Sequence, residues 1–177
     1  MNGTRPTQSS AVTVDDAPSR LPALAERIIQ RLAAWLADHS IAILRVSLGL
    51  VFLMFGILKF VPGASPAEEL AVRTVQTLSL GMLPAQTAVL LTAVVETFIG
   101  LTLVSGRLLR TGLTVMAIAL LGIMSPLVLF AADLFPGAPT LEAQYVLKDI
   151  VLVAAGLVIA ATALGARLQA APVRHRR

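Results

Sequence analysis

Cysteine is absent from all 177 residues of the chain. That removes disulfides, thiol redox chemistry, iron–sulfur ligation and covalent haem attachment. Only two histidines occur, His39 and His175, and both fall outside the long apolar stretches. A histidine-ligated haem or zinc site inside those stretches is therefore not available, and no residues stand at metal-ligand spacing, so no metal is expected. No nucleophile elbow, phosphate loop or dinucleotide glycine fingerprint appears either, which leaves the chain without self-sufficient catalytic apparatus. Charge is scarce as well: 14% of residues are charged, where a soluble domain carries about 25%.

What is abundant is apolar surface, since 56% of the residues are hydrophobic. A soluble core of this size could not enclose so much, but a bilayer can. Four long apolar runs stand out: Ile41–Val61, Pro84–Val104, about Leu113 to Phe130 or Leu134, and Tyr145–Leu164. Each approaches the roughly 20 residues that cross about 30 Å of hydrocarbon. Joined by short connections, they predict an all-α fold: an integral membrane antiparallel four-helix bundle. Pro126 should kink the third span and free a carbonyl, which Ser125 or water could satisfy. Gly49 and Gly56, one heptad apart, and the Gly156–Ala160 pair are candidate points of close helix packing.

Ahead of the spans, residues 1–19 are polar and read as a disordered cytoplasmic tail without the layout of a cleaved signal peptide. Residues 20–39 read as an amphipathic interfacial helix: Ile28, Ile29, Leu32, Trp35 and Leu36 share one stripe, with Glu26, Arg27, Gln30 and Arg31 opposite. Residues 40–166 form the transmembrane domain and 167–177 a basic cytoplasmic tail. Lys and Arg outside the spans sort to one side, with Arg27, Arg31, Arg107, Arg110 and Arg167 facing the single Arg73. Both termini are thus expected in the cytoplasm. The net charge of +4 is then a topology signal, and nucleic acid is not an expected partner.

The outer connections carry turn and cap chemistry. Ser65, Pro66 and Glu68 have the spacing of a capping box, opening a short outer-surface helix over 66–80 whose Leu70, Ala71, Thr74, Val75 and Leu78 face the bundle. Phe135-Pro136-Gly137 is a turn, and Thr140 is placed to cap the last helix. The two connections together would make a lid.

Five charges stand within the spans and each needs company. Counted in depth from the ends of the apolar runs, Arg45 and Glu96 fall within reach in the inner half and predict a structural ion pair. Lys59 and Asp149 share the outer half and predict a second pair, with Lys148 and Tyr145 alongside. Arg45, Phe52, Gly56, Lys59 and Phe60 should make one stripe facing the interior. Two cations on one carboxylate would leave positive potential in an outer pocket, suited to a quinone-like or small anionic ligand at Lys59, Lys148, Asp149 and Tyr145. Thr92, Thr97 and Thr102 are expected to bond their own helix backbone.

The stretch from Arg45 through Phe52, Gly56 and Lys59 to Glu68 resembles the first span and outer helix of DoxX-like bacterial membrane proteins. Val95-Glu96-Thr97-Phe98-Ile99-Gly100, Arg107-Leu108-Leu109-Arg110, Ser125-Pro126 and Pro139 through Asp149 are similar to that family in order and spacing. The resemblance covers about residues 41–165, with Met54 where Trp is usual and Asp149 where Asn is usual. It implies a four-span plasma-membrane protein, an accessory subunit of a redox or oxidative-stress system with a soluble or membrane redox partner and quinone as the ligand. A scaffold for a soluble partner and a small-solute transporter remain alternatives.

Overall fold

The computed structural model describes residues 23–65 and 68–167, so the expectations for residues 1–19, for Pro66 as a first helical residue and for nearly all of the basic tail lie outside the described residues. Among the described residues seven helices follow in order: α1 Ala23–Leu58, α2 Glu68–Leu78, α3 Ala85–Ser105, α4 Leu109–Met124, α5 Pro126–Leu129, α6 Ala131–Leu134 and α7 Leu141–Ala163. The structure is all-α, and four of its helical stretches are long and apolar enough to cross a membrane. The protein is a multi-pass membrane helical bundle. Leu50, Met54 and Ile57 on α1, Leu101 on α3, Ile118 on α4 and Val151 on α7 are exposed. These outward faces would be untenable in water and are ordinary against lipid.

The described residues divide into two compact units, the first ending at Leu36 and the second beginning at Ala37. In the first, Ile28, Leu32 and Trp35 of α1 are about half exposed. The helix runs through Asp38, His39 and Ser40, because no glycine or proline interrupts it.

The second unit holds the bundle. Leu48 and Phe52 of α1, Ile99 and Leu103 of α3, Leu113, Met116 and Leu120 of α4 and Ile159 of α7 form one buried cluster. Glycines set the α1–α3 register. A Cβ on Gly49 would meet Leu103 and Val104, one on Gly100 would meet Leu53, and one on Gly56 would lie 2.6 Å from the Thr97 backbone nitrogen. Only hydrogen fits at these crossings, so the two backbones touch. Gly156 lies against the terminal methyl of Met116 of α4, a side-chain contact rather than a backbone one.

Proline and its neighbour behave as the sequence suggests. Pro126 has no N–H to give the Gly122 carbonyl four residues back, and the Ser125 hydroxyl donates to that oxygen at 2.7 Å. Helix α4 ends at Met124 and the chain continues through the single turns α5 and α6. Thr140 caps α7, accepting from the Ala143 N–H at 3.1 Å. The capping box at α2 does not form. The Ser65 hydroxyl is buried without a partner, and the Glu68 carboxylate accepts from the Gly63 N–H at 3.1 Å instead. Gly63 has a positive φ of 73°, which turns its N–H toward Glu68 and away from the expected reciprocal pattern.

Candidate functional site

A cavity of about 490 Å³ lies in the second unit among α1, α2, α3, α4 and α7. Its wall is mostly apolar. From α2 come Leu70, Ala71, Thr74, Val75 and Leu78, the five residues expected to face the bundle. The other walls are side chains such as Phe52, Phe55, Val95, Ile123 and Leu152. Into this surface project Lys59, Glu96, Glu142, Tyr145 and Asp149.

Lys59 and Glu96 are paired. The Lys59 Nζ donates to Glu96 Oε2 at 2.6 Å, with 6% and 11% of the two side chains exposed. The Lys59 ammonium also lies 5.9 Å from the centre of the Phe55 ring, within the range of a cation–π contact. The expected Arg45–Glu96 and Lys59–Asp149 pairs do not form. The register explains why. Each rise of three or four residues along α1, from Gly49 to Leu53 to Gly56, is answered by a fall of three along α3, from Leu103 to Gly100 to Thr97. Extrapolated, Lys59 is level with about residue 94, only about 3 Å from Glu96, whereas Arg45 is level with about residue 108, about 18 Å away. Depth counted from the start of an apolar run at Ile41 misplaced Arg45, because α1 begins well before that run.

Arg45 has another task. Its Nη1 donates to the Leu103 carbonyl at 2.6 Å, one of the oxygens that the last turn of α3 leaves without an intrahelical donor. Gly106, with φ of 70°, ends α3, and a Cβ there would lie 2.7 Å from Arg45 Nη1. The guanidinium thus caps the negative end of α3.

Asp149 and Tyr145 line the cavity, but Lys148 does not; it is exposed, with its ammonium 5.0 Å from the Tyr145 ring centre. Phe60 is likewise 49% exposed and leaves the inward stripe that Phe52, Gly56 and Lys59 keep. One lysine therefore faces three carboxylates, and the spare charge in the cavity is negative rather than positive. Asp149 lines the same cavity as Glu96 and Lys59, yet the described residues give its carboxylate no hydrogen bond or ion pair. Thr92 and Thr102 bond their own helix, while the Thr97 hydroxyl is buried with no partner, pressed against Gly56.

The two connections that carry α2 and α6 share a tie that sequence reasoning missed. Arg73 of α2 donates to Asp133 of α6 at 2.6 Å and stacks 4.0 Å from the centre of the Phe130 ring. The opposite charges of Arg73 in one connection and Asp133 in the other were the available signal.

Neither a curated protein nor a solved structure gives a match to the chain. A family does: residues 40–132 match DoxX. That segment holds α2 to α5, the bundle portion of α1, both residues of the Lys59–Glu96 pair and the Gly56–Thr97 crossing, and it spans more than half of the sequence. The chain belongs to the DoxX family.

Proposed function

We propose that this protein is an accessory subunit of a redox or oxidative-stress system, and that its cavity holds the ring of a quinone-like molecule whose apolar tail continues between the spans. The observation that carries this reading is the buried Lys59–Glu96 pair on an otherwise apolar wall. A few fixed polar groups in an apolar pocket of this volume suit an amphipathic ring, which they orient while the wall takes its hydrocarbon. A small anion is disfavoured, since three carboxylates share the space with one lysine. With no cysteine in the chain, electrons would reach the bound molecule from a partner protein.

The same reading puts the protein in the bacterial inner membrane with both termini in the cytoplasm, by the distribution of arginine. Residues 20–39 would then serve the interface, with the half-exposed Ile28, Leu32 and Trp35 as its apolar face.

The test is extraction of the purified protein, taken natively from its membrane, followed by mass spectrometry of the bound small molecules. A quinone at near-equal ratio in the native protein, strongly reduced in Lys59→Met, is the expected result. An empty cavity together with loss of a co-purifying partner on deletion of residues 20–39 would favour the scaffold instead.

A further inference from the structure

The cavity's hydrogen-bonding inventory is unbalanced. Of its hydroxyls, Thr74 is spent on the Leu70 carbonyl and Thr92 on the Val89 carbonyl. One N–H of Lys59 is spent on Glu96. What remains to donate is the rest of the Lys59 ammonium and the Tyr145 hydroxyl. What remains to accept is larger: the Asp149 and Glu142 carboxylates, acceptors only when ionised, and the second oxygen of Glu96.

A ligand that carries acceptors alone would satisfy Lys59 and leave Asp149 facing an apolar ring. A carboxylate desolvated in that way without a donor is costly. A ligand with ring hydroxyls would accept from Lys59 and donate to Asp149. We infer that the site selects a hydroxylated aromatic ring over its carbonyl form, a quinol over the matching quinone, and that Asp149 is the residue that decides. This rests on the quinone-like reading of the cavity given above and goes beyond it by naming the form that is held. Glu142 sits in the first turn of α7, where the free N–H groups of the helix end already favour its charge. Asp149 lies two turns further in, beyond their reach, and depends on the ligand.

The probes are a benzoquinol with a ten-carbon tail and the corresponding benzoquinone. Each is titrated by calorimetry, without oxygen, into the full chain in nanodiscs. The quinol is expected to bind more tightly by about tenfold or more. In Asp149→Asn the preference should fall to within about threefold, through weaker quinol binding, with quinone affinity little changed. Equal affinities in the unmodified protein, which need no variant to fold, would overturn the inference while leaving the cavity's ligand class intact. So would a preference that survives Asp149→Asn. Binding of neither form would overturn both this inference and the reading it rests on.

Discussion

The Lys59–Glu96 pair invites a double-mutant cycle. At 2.6 Å, and with an effective dielectric near 20, the gross attraction is roughly 6 kcal/mol. Removing both ions from water costs several kcal/mol each, so most of that attraction only offsets desolvation. Glu96 sits in the middle of α3 with 11% of its side chain exposed. Lys59→Met should therefore cost about 3–5 kcal/mol, and Glu96→Leu a similar amount, because each strands one buried charge. The double variant should recover to within about 1–2 kcal/mol of the native protein, since two apolar side chains fill the space without any charge to solvate. Unfolding free energies measured by steric trapping in lipid bicelles give all four corners of the cycle. Single variants that cost under about 1 kcal/mol, or a double variant that costs the sum of the two, would show that the ions are not buried together as the structure has them.

Gly56→Leu should force α1 from α3, since even a Cβ would stand 2.6 Å from the Thr97 nitrogen; a loss of about 1–3 kcal/mol or failure to fold is expected, read by thermal melting in detergent. Arg45→Met should cost about 1–2 kcal/mol and leave the affinity of the cavity for its ligand unchanged, because the guanidinium caps α3 and does not meet Glu96. Arg73→Ala should change stability by no more than about 1–2 kcal/mol, the range for an exposed pair with one ring contact, while raising the protease sensitivity of the 130–140 connection. Ser125→Ala should leave the Gly122 carbonyl only the longer 3.2 Å bond from the backbone N–H of that residue and lower the melting temperature, by about 1 kcal/mol in free-energy terms.

Composition and run length were enough for the bundle, since lipid as solvent tolerates few alternatives to paired helical backbones. Local chemistry was legible for the same reason that it is local. The Thr140 cap, the Ser125–Pro126 exchange and the inward face of α2 depend on residues within a turn or two of each other. Ser65 failed because a glycine with positive φ two residues earlier redirected the partner of Glu68. The ion pairs failed at a higher level. They depend on where one helix is cut against another, and the apolar runs mark hydrocarbon, not helix ends: α1 starts 18 residues before Ile41. The glycines were visible as small residues, but their partners Leu53, Thr97 and Leu103 carry no pattern that announces a crossing.

That register has a consequence for chemistry, not only for packing. Had Arg45 taken Glu96, Lys59 would have stayed in the cavity free to answer Asp149. Sliding the match by about 12 residues hands Glu96 to Lys59, turns Arg45 into a helix cap and leaves Asp149, like Glu142, without a basic partner. The residue types are unchanged, and the cavity goes from one whose lysine neutralises Asp149 to one that is donor-seeking there. Two glycines on α1 and one on α3 fix that choice, because they permit a single depth at which the two backbones can touch. A mutation that shifts this register by one turn, without altering any ionisable residue, should therefore change which ligand binds as well as how tightly the bundle holds.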